Sequence, residues 1–147
     1  MFQRLNHRRA GFTLVEIMIV VAIIALLAAI AVPNFMRARK RSQATLVLSE
    51  MRIIQSAADQ YYIDNPRASN VNWVDLKVYY KDGSRLYHAH QASGNVMRDP
   101  LGNGYIGWAD APLSSRVGVS TFTYAALSDV APLDFWSGFV PPELGGQ

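Results

Sequence analysis

The side chain in this sequence most in need of a chemical explanation is one carboxylate. Glu16 opens an apolar block that runs from Ile17 to Val32 as IMIVVAIIALLAAIAV, and the next charge is Arg37. A carboxylate on a lipid-facing helix costs about 2.5–3.5 kcal/mol at mid-membrane and less near an end, so it calls for a partner or for hydration at the interface. His88-Ala89-His90 would set two imidazoles on one side of a strand. With no third ligand evident, they read as surface histidines without a metal. Cysteine is absent, which excludes disulfides, thiolate zinc sites and cysteine nucleophiles. There is no G-x-S-x-G elbow, no H-E-x-x-H pair and no phosphate loop, and Gly94, Gly102, Gly104 and Gly107 sit among turn residues. The expectation is a protein that is not an enzyme.

The element that must position Glu16 is the apolar run itself. Twenty uncharged residues separate Glu16 from Arg37, and at about 1.5 Å per residue a helix of that length spans about 30 Å, a bilayer's hydrocarbon core. A buried core helix would show a polar stripe, and this run has none. The charges belong to its edges. Arg4, Arg8 and Arg9 precede it, Arg37, Arg39, Lys40 and Arg41 follow it, and from residue 42 onward ten acids face seven bases. Nucleic acid is therefore excluded as a direct partner, and the flanking cations do not decide topology. They cap the segment at a phosphate-rich surface, meet acids of adjacent subunits, or form a solvated face. An ordinary signal peptide is a rival, with Ala29-Ile30-Ala31 as its cleavage site, but Glu16 and the length of the run oppose it. A plain signal anchor is another. Ala22, Ala25 and Ala29 share one helical face, with Ala25 and Ala29 spaced for close helix approach, and Pro33 should kink or locally melt the helix.

Arg8 to Glu16 reads RRAGFTLVE and continues into IMIVVAIIALLAAIAVPNF. Over residues 8 to about 65 the chain resembles type IV pilins and type II secretion pseudopilins. The resemblance implies that a prepilin peptidase cuts between Gly11 and Phe12 and methylates the new amine of Phe12. The mature chain would then carry 11 bases and 11 acids. It also implies that Glu16 meets the terminal amine of Phe12 on a neighbouring subunit, and that Pro33 marks a flexible stretch of the filament.

Beyond Pro33, Val47, Met51, Ile54, Ala58 and Tyr61 recur at helical steps with polar residues between them, a single stripe facing a core. Asn65-Pro66 ends the helix. The remaining residues are few for an independent core, so the head should complete itself on that stripe. Trp73–Leu76 with Val78–Tyr80 suggests a short helix or strand, Lys81–Ser84 a turn, and Arg85–His88 the start of a strand. Tyr105–Trp108 and Val117–Leu127 are the better strand candidates. The expected class is α+β, a long helix carrying a small antiparallel sheet. The expected organisation is a leader over 1–11, a transmembrane and assembly helix over 12–36, its amphipathic continuation over 37–65 and a periplasmic head over 66–147.

Asp99-Pro100-Leu101-Gly102-Asn103-Gly104-Tyr105 resembles the Asp-Pro-x-Gly-Asn-x-Tyr turn of major pseudopilins, with Gly102 and Gly104 available for positive φ. Major pseudopilins also bind calcium in an acidic C-terminal loop. Here the comparable residues 128–136 offer only Asp129 and Asp134, to which loop carbonyls would have to be added. The resemblance implies a single-pass inner-membrane subunit with a cytoplasmic leader. Its partners would be other pilin-like subunits, the peptidase and an inner-membrane assembly platform. A secretion pseudopilus is the first expectation, a type IV pilus for adhesion, motility or DNA uptake the second. A periplasmic enzyme or binding protein with an ordinary signal peptide is the rival from another class.

Overall fold

A computed structural model describes residues 11–68, 71–92, 97–105 and 117–140, without the side chains of 90–92. The chain divides into two units, Met1–Arg37 and Ala38–Gln147.

Among the described residues of the first unit the only element is the beginning of helix α1, Leu14–Asp64. Every residue from Gly11 to Arg37 is exposed, including Ile19, Ile23, Leu26, Leu27 and Ile30. Among the described residues, α1 is the helix long and apolar enough to cross a membrane, and its most apolar stretch buries nothing inside the chain. An apolar surface of this extent is stable only in lipid or against other helices. The helix runs unbroken through Pro33, so the expected local melting does not occur. Proline removes one rung of the hydrogen-bond ladder, and the helix around it is long enough to hold its own geometry.

The second unit is built on the polar half of α1. Ala44, Val47, Leu48, Met51, Ile54, Ala57 and Ala58 are buried, which is the stripe read from the sequence with Ala44, Leu48 and Ala57 added; Tyr61 is half-buried at its end. Against it pack Val71, Trp73, Leu76, Tyr80, Leu86, Met97, Tyr105, Val117, Val119, Leu127, Ala131 and Trp136. The helix stops where Asn65 donates from both its backbone N–H and its side-chain amide to the Tyr61 carbonyl, at 2.9 and 3.0 Å.

The head elements differ from those expected. The segment after Trp73 forms a 3-10 turn, Asp75–Tyr79, and Lys81–Ser84 turns as read, with Gly83 at φ +76°. Arg85–Ala92 is helix α2, not a strand. Of Val117–Leu127 only the first four residues lack helical structure; Thr121–Leu127 is helix α3, and a second 3-10 turn covers Leu133–Trp136. The reason for α3 is local. The Ser120 hydroxyl oxygen accepts from the Phe122 N–H and caps the helix, and Thr123 and Leu127, one turn apart, are both buried. Alternation at Val117 and Val119 describes the extended lead-in and no more. Among the described residues there is no strand; Arg98 and Gly104 form an isolated antiparallel bridge, and Gly118 is a further bridge residue. Most of the expected strand Tyr105–Trp108 lies outside the described residues.

Candidate functional site at the start of the helix

Gly11, Phe12 and Thr13 precede α1 in non-helical backbone, and Phe12 is 84% exposed. The peptide bond between Gly11 and Phe12 is therefore accessible. A Cβ placed on Gly11 meets nothing within 4 Å, and its φ is not one that excludes other residues. Nothing in the chain's own packing demands glycine there.

Glu16 is engaged locally. Its carboxylate accepts from the Thr13 N–H and the Thr13 hydroxyl, both at 2.8 Å, while the Thr13 hydroxyl oxygen accepts from the Glu16 N–H at 3.2 Å. This is the reciprocal capping box of a T-x-x-E sequence, and it places an anion at the positive end of the helix. The pattern Thr13-Leu14-Val15-Glu16 is the sequence signal of this box, and the membrane cost of Glu16 alone does not point to it. Ala25 and Ala29 are exposed one turn apart on α1, and Pro33 follows within the same helix.

The other sequence-predicted residues fall elsewhere. His88 is exposed on α2 beside the Tyr87 ring, the ring centres 5.5 Å apart at a steep angle. Because α2 is a helix, positions 88 and 90 are about 200° apart around its axis, which removes the geometric basis for paired imidazoles. Asp129 receives the Lys40 ammonium at 3.0 Å on each oxygen, so one member of the basic run 37–41 is committed to the chain's own head. Asp134 is exposed.

The Asp99–Tyr105 turn is held by buried polar contacts that the sequence did not disclose. Asp99 accepts from the N–H groups of Leu101 and Asn103 at 2.8 and 2.9 Å and from the Thr123 hydroxyl. Gly102 takes φ +91°, whereas Gly104 needs no positive φ. Tyr105 donates its hydroxyl at 2.7 Å to Glu50, a buried carboxylate on α1 that is also gripped by the Arg85 guanidinium. Arg85 reaches back to the Arg98 carbonyl at 2.9 Å. The turn is thus a structural clasp between the head and α1.

An exposed apolar helix with a capped carboxylate at its start, whose second half carries a small head, fits a single-pass membrane anchor. Residues 6–32 match the prokaryotic N-terminal methylation motif. The type II secretion system core protein G of Aeromonas hydrophila is 30% identical over 104 residues, 68% of this chain and 73% of that one. Its counterpart in Klebsiella pneumoniae is 40% identical over 104 residues, 67% of this chain and 74% of that one. The type IV major pilin PilA of Myxococcus xanthus is 42% identical over 67 residues, 46% of this chain but only 30% of its own length. No solved structure matches significantly. The chain belongs to the family of type IV pilins and type II secretion pseudopilins.

Proposed function

We propose that this protein is a structural, non-catalytic subunit of a type II secretion pseudopilus. The observation that carries the secretion branch is the reach of the likeness. Both core protein G relatives align over about two thirds of this chain, past the helix and into the head, whereas the myxococcal pilin aligns over less than half of it. The longer the aligned stretch, the more of it must lie in the head, and likeness in the head bears on what the filament carries.

In this reading the leader is cut between Gly11 and Phe12, Phe12 is methylated, and the head stands in the periplasm. The exposed bond supports access, and open space around Gly11 fits a glycine kept for the peptidase rather than for packing. On assembly the Glu16 carboxylate exchanges Thr13 for the Phe12 amine of a neighbouring subunit, a stronger partner in low dielectric than a neutral hydroxyl. Ala25 and Ala29 offer the close-approach face. A type IV pilin is the second reading, favoured by 42% identity over the 67 residues shared with the myxococcal pilin.

Mass analysis of the mature N-terminus should give methylated Phe12. A start at Val32 would sink the proposal in favour of an ordinary signal peptide. Glu16→Ala should abolish filament assembly and export of the cognate secreted proteins while leaving processing intact. Loss of surface pili with export untouched would select the pilus branch.

A further inference from the structure

We propose that the C-terminal loop of the head is closed by the Lys40 ammonium and the Trp136 indole in place of a divalent cation. Calcium takes about six to eight oxygens, and the donor set here does not fit it. Both oxygens of Asp129 face Lys40. Five of the loop carbonyls, those of Leu127, Ala131, Pro132, Asp134 and Trp136, accept from the loop's own donors. Leu127 accepts from the N–H groups of Val130 and Ala131 at 3.0 and 2.8 Å, Pro132 from Phe135 at 3.0 Å, Asp134 from Ser137 at 3.2 Å and Trp136 from Phe139 at 2.8 Å. The Ala131 carbonyl accepts the Trp136 indole N–H at 3.0 Å. Among the described residues no three His, Asp or Glu side chains gather where they could hold an ion.

Two different forces do the closing. Trp136 is fully buried together with Leu127 and Ala131, so the ring anchors the loop by apolar contact and its N–H satisfies a carbonyl that water cannot reach. Lys40 supplies a positive charge, arriving from a helix residue 89 positions earlier, and ties the loop to α1. That pair is half-exposed and correspondingly weak. The ring therefore bears most of the load and the ion pair sets register. This inference is independent of whether the filament serves secretion or a pilus.

The test is thermal unfolding of the full chain in detergent, with millimolar calcium or with a chelator. The two midpoints should agree within about 1 °C. Trp136→Phe keeps a ring but loses the donor, and should lower the midpoint by about 4–8 °C equally in both conditions. Lys40→Ala should lower it by about 1–3 °C at low salt and by less at high salt, with Lys40→Arg restoring it. A calcium-dependent rise of more than about 3 °C in the unmodified protein would overturn the proposal. So would a Lys40→Ala protein with an unchanged midpoint at low salt.

Discussion

At the scale of single residues, the same carboxylate chemistry has two outcomes set by surroundings. Glu16 is exposed and engages Thr13, three residues away, so its contacts can be exchanged without unfolding anything. Glu50 is buried and held by residues 35 and 55 positions away, so its contacts are part of the fold. Tyr80 offers the opposite case. Its ring is buried while its hydroxyl finds no partner among the described residues, and burial pushes its pKa well above the usual phenol range. Such a group holds its proton in the folded state at a pH where the unfolded chain releases it. Its contribution is fully present below about pH 10 and is lost as pH rises beyond that, by about 1.4 kcal/mol per pH unit. Tyr80→Phe removes both the unpaired hydroxyl and this titration. We expect a protein at least as stable at neutral pH, gaining about 1 kcal/mol, and a shallower loss of stability above pH 10. Denaturant unfolding at pH 7 and at pH 10.5 checks both parts, and a destabilised variant at pH 7 would show that the hydroxyl is satisfied after all.

At the scale of elements, legibility follows the length over which one rule operates. In α1 the apolar run, the change to a helical stripe and the Asn65-Pro66 stop each repeat or punctuate over many residues, and Val47, Met51, Ile54 and Ala58 are buried as their spacing implies. Among the described residues of the head no element exceeds eight residues, so a single cap or distant contact outweighs propensity. The stretch VGVSTFTYAAL alternates like a strand, yet Ser120 caps a helix that buries Thr123 and Leu127. The candidate site divides the same way. Gly11, Phe12 and Glu16 are readable because they sit in one continuous motif, whereas the roles of Lys40 and Glu50 depend on chain that returns from far away. Ser120→Ala should therefore cost about 1 kcal/mol, with faster amide exchange in α3 than in α1. Unchanged exchange across residues 121–127 would mean that burial alone, not the cap, sets this helix.

At the scale of the whole molecule, the described residues of the head share their core with α1. Seven apolar residues of the helix lie in the same cluster as those of the loops, and the polar clasp from Glu50 through Arg85 and Tyr105 joins the Asp99 turn to the helix within that cluster. Removing Glu50 takes the acceptor from the buried Tyr105 hydroxyl and the carboxylate from Arg85, and breaking a buried pair costs about 3–5 kcal/mol, less where water can reach the remaining charge, as it can for Arg85. Glu50→Ala should accordingly destabilise the head by about 2–4 kcal/mol. Tyr105→Phe, which leaves the Arg85 contact intact, should cost about 1 kcal/mol. The consequence for assembly separates this site from the one at Glu16. A Glu50→Ala chain should still be inserted and cleaved at Gly11, because the processing segment lies in the other unit, but it should be degraded or fail to polymerise as its head opens. Limited proteolysis with intact-mass readout distinguishes the two defects. Glu16→Ala should give a protease-resistant head that does not assemble, and Glu50→Ala a correctly processed chain whose head is cut. A resistant head in Glu50→Ala would mean that the apolar cluster alone fixes the head on its helix.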